Sequence, residues 1–336
     1  MPFIEEILTC NSVSIVGLEK NTGKTETLNY VLKRLKTMNV PVAVTSIGLD
    51  GEETDAVTQT AKPEIIISKG VVFVTSEKHF FQKKVTAEIL NVSESQTALG
   101  RLITARAQSD GKVILSGPSD TESVRKLISN LQNFGVKTTL VDGALSRMSL
   151  ASPLVTDAMV LATGASVSAN IPQLVRKTKF VQRLIELEKV EENLSLQLQQ
   201  SKNGIWSIGA DGEIHDLQIP SVFLLDKRKD DIFRFGNRIY VSGAVSNKLI
   251  NYLRMQQKKV ELIVGDFTKI FVGREEFDAF LSAGNTIKTL FRNRLIAVTV
   301  NPVSPAGITL NSEKLQHAMS EALGLPVYDI KKIEKE

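Results

Sequence analysis

Gly17, Gly23, Lys24 and Thr25, in the segment GLEKNTGKT, have the types and spacing to hold a chain of phosphates. Gly23 lets the backbone approach phosphate oxygens with no Cβ between, and Lys24 reaches the β- and γ-phosphates as a point charge. The Thr25 hydroxyl suits Mg²⁺. The candidate nucleotide-binding residues are Gly17, Asn21, Thr22, Gly23, Lys24, Thr25 and Glu26. The expected guest is ATP or GTP with Mg²⁺, and no motif selects adenine over guanine.

Two elements must position this loop. The apolar run at 13–16 predicts a strand ending at Gly17, and Leu28, Val31, Leu32 and Leu35 recur at helical spacing after Thr25. Strand, loop and helix N-terminus together offer free backbone N–H groups and the positive end of a helix dipole to an anion. The common form of such a loop has four residues between its first Gly and the Gly-Lys pair; here there are five, with Leu18 where that form wants Gly.

Magnesium needs a carboxylate beside the Thr25 hydroxyl. TTLVD, at 138–142, is an apolar run with an aspartate at its tip, so Asp142 is the first metal candidate and ranks above Asp120. The β-branched run VAVTSIG leads into the acidic stretch LDGEETD, at the strand end where open α/β sheets bind ligands. Asp50 there either contacts Mg²⁺ or water, with Asp55 behind it, or belongs to a solvated acidic turn around Gly51. It is also the candidate catalytic residue; no undoubted base is visible.

With 42% hydrophobic and 23% charged residues the chain has ordinary globular material, and its net charge of +4 is interspersed, so nothing demands nucleic acid or an acidic membrane surface. Cys10 is the single cysteine, which excludes an internal disulfide, and three scattered histidines form no zinc-type cluster. MPFIEEILTC lacks the basic start of a secretory signal, and no apolar run approaches membrane-spanning length. A soluble, cytoplasmic protein is expected.

Further along, a short lead-in helix is expected at 3–8, strands at 64–68 and 71–75, a helix carrying Arg101 and Arg106 at 97–108, a buried strand at 112–116 and a helix at 121–134. The segment 77–94 has no single period. Another buried strand is expected at 155–165, then mainly helix over 171–200. Beyond Gly204 a hairpin turns at Asp211-Gly212, strands are expected at 221–225, 238–241, 261–264 and 295–300, and helices at 246–257 and 275–281. Trp206 is read as a core residue. Ser242 to Ala244 lead into a helix and either hold an anion or form an ordinary turn, and Asn301-Pro302 begins a rigid turn. This alternation predicts an α/β fold with a mostly parallel sheet covered by helices on both faces, and a second, smaller α/β domain. The expected division is 1–168 for the nucleotide-binding domain, 169–203 for a helical linker and 204–336 for a C-terminal domain suited to a partner.

GLEKNTGKT resembles the loop of the dethiobiotin-synthetase-like (SIMIBI) branch of P-loop NTPases, with Asn21 where that branch usually has Gly. Asn tolerates left-handed backbone, so the difference is survivable. Related ATPases carry a signature lysine before two glycines; Lys20 sits one position away and Asn21-Thr22 replace the glycines, so Lys20 is not given that role. The segments TALGRLITARA, GKVILSGPSD, LVDGALSR and SLASPLVTDAMVLATGAS resemble the P-loop accessory subunit of a lysine 5,6-aminomutase reactivase, over about 17–166. That resemblance implies a nucleotide-dependent partner of an adenosylcobalamin enzyme, acting with aminomutase subunits or a MutS-like ATPase.

Three classes follow. The first is a nucleotide-driven accessory protein, possible as an ATPase or GTPase, in which Lys24 grips phosphate and Thr25, Asp142 and Asp50 manage Mg²⁺. The second is an ATP-dependent enzyme that activates a carboxylate without a protein partner. The third is a non-hydrolysing structural subunit with a relic loop, whose melting temperature ignores Mg-ATP.

Overall fold

The computed structural model describes residues 2–48, 65–144, 155–221 and 231–334. The chain forms two compact units, Met1–Lys179 together with Asn293–Glu336, and Phe180–Arg292. The first begins with α1 (Ile4–Ile7), β1 (Ser12–Gly17), α2 (Lys24–Thr37), β2 (Val42–Ser46), β3 (Ile65–Ile67), β4 (Val72–Ser76) and α3 (Glu77–Gln82). There follow β5 (Ala87–Thr97), β6 (Gly100–Ala107), β7 (Gly111–Val113), α4 (Thr121–Gln132), β8 (Thr138–Ala144), β9 (Ala158–Gly164) and α5 (Ile171–Ile185), which runs on into the second unit.

The second unit contains α6 (Glu192–Gln199), β10 (Ile205–Ile208), β11 (Ile214–Ile219), β12 (Arg238–Val241), β13 (Val245–Ser246), α7 (Asn247–Arg254), β14 (Glu261–Val264), β15 (Ile270–Phe271), α8 (Arg274–Ser282) and β16 (Thr286–Thr289). Then β17 (Arg294–Asn301), α9 (Ser312–Leu323), β18 (Val327–Asp329) and α10 (Ile330–Ile333) return to the first unit.

The fold is α/β, built on a large, mostly parallel mixed sheet. Its nine strands run in the order β18-β17-β9-β1-β8-β2-β4-β6-β5, parallel as far as β4 and antiparallel from β4 through β6 to β5. Every residue of β1 and of β9 is buried, as strands covered on both faces must be, which is why they read as near-continuous apolar runs. Leu28, Val31 and Leu35 of α2 are fully buried, while Arg34 and Lys36 fall in its last turn, where positive charge suits the helix dipole.

Within the second unit the strand order is β11-β10-β12-β14-β16, with a hairpin between β10 and β11 and parallel pairing from β12 to β16. The hairpin turns at Asp211-Gly212 as expected, with Gly212 at φ 86°. Trp206 is half-buried beside the apolar cluster of Leu198, Ile208 and Ile263, and its Nε1 donates to the Lys202 carbonyl at 3.0 Å.

Several expectations change. The helix expected at 97–108 is the β5–β6 hairpin and strand β6, with Gly100 at φ 90° closing the turn. The spacing of Leu99, Leu102 and Ile103 suits either a helix or a strand, and β6 gains a hydrogen-bonded neighbour on each side, β4 and β5, which decides for strand. Arg101 and Arg106 therefore lie on a strand, and Arg106 donates to the Phe134 carbonyl at 3.0 Å. The strand expected at 112–116 is ladder-paired only through Val113, in β7 against β3. The long helix at 171–200 is two, α5 and α6, separated by a stretch in which Lys189 bridges Thr289.

The largest change concerns chain division. Asn293–Glu336, which linear reading placed with the C-terminal domain, belongs to the first unit because β17 pairs with β9 and β18 with β17. Parallel pairing across such a separation leaves no mark on local sequence. The strand expected at 221–225 lies outside the described residues beyond Ser221.

Candidate functional site

Position 17, where β1 ends, requires glycine, because a Cβ there would stand 2.6 Å from Thr22 Oγ1 and 3.0 Å from the Glu19 carbonyl oxygen. The loop 18–23 is folded tightly over that glycine. Leu18 N donates to the Ala162 carbonyl of β9 at 2.9 Å, and Thr22 Oγ1 donates to the Glu19 carbonyl at 3.1 Å. Asn21 takes the left-handed backbone at φ 61° that its side-chain type tolerates, and Gly23 takes φ 88°.

Gly23 is the N-cap of α2, and no side-chain capping hydrogen bond is made there among the described residues. Thr27 N to Gly23 O, at 3.0 Å, is the first turn's backbone bond, so the amides of Lys24, Thr25 and Glu26 precede the helical ladder and have no acceptor within it. This end of α2 is a set of oriented N–H groups beside a lysine. Chemically it favours an anion.

β8 lies directly beside β1, with Asp142 opposite Ile15, and beside β2, with Asp142 opposite Ser46. That register sets the Asp142 carboxylate near the strand's C-terminal end. Lys24 Nζ approaches Asp142 Oδ1 to 3.0 Å, with the two side chains 21% and 15% exposed. The approach is an ion contact without hydrogen-bond alignment, and Oδ1 is a buried oxygen with no hydrogen-bond partner among the described residues. The Asp142 main chain is held separately, its carbonyl accepting from Ile47 N at 3.2 Å and Ser46 Oγ at 3.4 Å.

An acceptor left in this state fits a hydrated divalent cation. Mg²⁺ takes one or two carboxylates with phosphate oxygens and water, and does not need a cage of protein ligands. Among the described residues there is no cluster of three or more His, Cys, Asp or Glu, so a zinc-type centre has no ligand set there.

The other candidates are placed as follows. Glu26, in the first turn of α2, is 3.9 Å from Lys331 of α10 and so leans toward the C-terminal segment. Asp120 is the N-cap of α4, accepting from Ser123 N at 2.9 Å, and that amide holds its carboxyl below the ordinary range. Its work is structural. Asp50 and Asp55 lie outside the described residues. Ser242 to Ala244 do not open a helix: the two-residue strand β13 intervenes before α7, and Ser242 Oγ is tied to Gly204, accepting from its N at 2.8 Å.

One residue of this site escaped the sequence reading. Asn301, at the end of β17, donates from Nδ2 to the Asn21 carbonyl of the loop at 3.2 Å. Asn301-Pro302 was legible as the start of a turn, but its contact with a loop at the other end of the chain depends on β17 lying beside β9.

In the second unit, Gly273, Arg274, Glu275, Glu276 and Asp278 line an open depression of about 640 Å³. Two of its charged groups are already paired, since Asp278 meets Arg183 at 2.6 Å and Arg274 at 3.4 Å, and Glu276 accepts from Asn247 at 3.3 Å. No helix among the described residues is long and apolar enough to cross a membrane. Comparison with protein-family models and with curated proteins gives no match.

Proposed function

We propose that this chain is a Mg²⁺-dependent nucleoside-triphosphate-binding accessory protein, using ATP or GTP, that assists reactivation of an adenosylcobalamin-dependent aminomutase. The nucleotide part rests on one observation above the rest: Lys24, at a helix start with no side-chain cap, faces an acidic strand tip whose Oδ1 lacks a hydrogen-bond partner, both among the described residues. The partner rests on the resemblance of the segments between 17 and 166.

In this reading the loop amides and the Lys24 ammonium receive the phosphate tail, and Lys24 exchanges the Asp142 carboxylate for phosphate oxygens. Thr25 and Asp142 are the residues that would hold Mg²⁺, which neutralises phosphate charge when bound. Asp50 is assigned to water or metal. The unit Phe180–Arg292 serves the protein partner, and nucleotide occupancy biases docking between two states.

A thermal-shift series with ATP, GTP and Mg²⁺ on wild type and Lys24→Ala tests the nucleotide part. Stabilisation of the wild type, about 2.7 kcal/mol at a hundredfold excess over Kd, and its loss in the variant are expected. No shift with either nucleotide would sink it. Capture of aminomutase subunits then tests the partner, and turnover of ATP on a small acid without any partner would favour the carboxylate-activating class instead.

A further inference from the structure

Building on the nucleotide-binding reading, we infer that Asn301 is a positioning residue that holds the 18–23 loop in its phosphate-binding shape. Asn301 stands at the C-terminal end of β17 with both side-chain polar atoms and its main-chain carbonyl engaged. Nδ2 donates to the Asn21 carbonyl at 3.2 Å, Oδ1 accepts from Val303 N at 3.1 Å, and its main-chain carbonyl accepts from Ala165 N at 2.9 Å. The loop is thereby tied to two strands, since Leu18 N already donates to Ala162 of β9.

The physical consequence lies in one peptide plane. The Asn21 carbonyl and the Thr22 N–H belong to the same trans peptide unit, so they point in opposite directions. Drawing the carbonyl toward β17 turns the Thr22 N–H away from β17 and keeps a carbonyl dipole from facing a bound anion. Asn21 also takes left-handed backbone at φ 61°, which disfavours a residue with a Cβ, and a hydrogen bond to its carbonyl offsets that cost. Packing supports the arrangement, because a Cβ built on Gly23 would stand 3.0 Å from Asn301 Cβ, which leaves no room between loop and strand end.

Thr299 supplies a control. Its Oγ1 lies 2.8 Å from Thr27 Oγ1, so it joins the same strand to α2 instead of to the Asn21 carbonyl. Dissociation constants for Mg-ATP, Mg-GTP and Mg-tripolyphosphate are measured on wild type, Asn301→Ala, Asn301→Asp and Thr299→Val, with melting temperatures of the ligand-free proteins. Asn301→Asp keeps the shape and the Val303 acceptor while removing the donor, and serves also if the Ala variant fails to fold.

Both Asn301 variants are expected to weaken tripolyphosphate and the bound nucleotide in parallel, Asn301→Ala by about tenfold, the scale of one hydrogen bond, and Asn301→Asp by more, because its carboxylate also repels the anion. Thr299→Val is expected to lower the melting temperature with affinities within about twofold of wild type. Asn301 affinities within about twofold of wild type, or loss for nucleotide but not tripolyphosphate, would overturn the inference while leaving the nucleotide reading in place. A wild type that binds none of the three removes both.

Discussion

Lys24 Nζ, at the start of α2, and Asp142 Oδ1, near the end of β8, meet at 3.0 Å. A phosphate entering the 18–23 loop must therefore compete with Asp142 for the ammonium. A cation that draws Asp142 away makes that exchange easier, so Mg²⁺ and triphosphate are expected to bind with positive coupling.

Asp142→Asn tests this coupling by sign. Without Mg²⁺ the variant is expected to bind free triphosphate more tightly, by several-fold to about tenfold, because Lys24 has lost its anionic competitor. With saturating Mg²⁺ it is expected to bind more weakly by a similar factor. Calorimetric titration in EDTA and in Mg²⁺ checks both arms, and a change of the same sign in both would show that Asp142 does not serve the metal.

Gly164→Ala tests the closeness of β9 and β17. A Cβ at Gly164 would fall inside contact distance of the Asn301 main-chain oxygen, which is backbone and cannot swing aside. A loss of about 1–3 kcal/mol by overpacking is expected in chemical denaturation. Gly243→Ala, where nothing stands within 4 Å of the new Cβ, is expected to stay within about 0.5 kcal/mol of wild type.

Asp120→Ala removes the cap of α4. The Ser123 amide holds the Asp120 carboxyl below its ordinary 3.8, so the ionised cap stabilises the fold above that pH and its contribution is lost as pH falls through the lowered folded value. The variant is expected to be less stable by about 1 kcal/mol near neutral pH, and the difference to narrow in acid. Asp120→Asn, which keeps an acceptor without the charge, is expected to show little of either effect.

Tyr240 carries the opposite sign. Burial first, and then the Asp266 carboxylate, push its phenol up to about 12 from an ordinary 10.0. The folded state prefers the neutral phenol, so this stabilisation is complete below pH 10 and disappears as pH rises through 12. Ultraviolet titration is expected to show a tyrosine ionising at about 12 that Tyr240→Phe removes, and denaturation curves of that variant are expected to lose part of the slope between pH 10 and 12.

Legibility in the sequence followed the range of the forces involved. β1, α2, β8, α4 and the β10–β11 hairpin were readable because their apolar period or turn residues act within a few positions. Residues 97–108 carry helical spacing at Leu99, Leu102 and Ile103 yet form strand, because pairing with β4 on one side and β5 on the other outweighs that local period. The segment 77–94 showed no period because most of β5 is exposed on both faces, so burial wrote no alternation into it.

Local chemistry alone determined the loop: Gly at 17 and 23, a lysine and a threonine entering a helix, and an aspartate closing an apolar run are each dictated by the backbone or charge at that one position. Tertiary structure decided which of those groups meet. Lys24 faces Asp142 because β1 and β8 are sheet neighbours, and Asn301 reaches Asn21 because the chain returns from the second unit to lay β17 beside β9. Parallel strand order is fixed by the burial of whole strands against one another across the chain, and no residue's immediate neighbours carry that information.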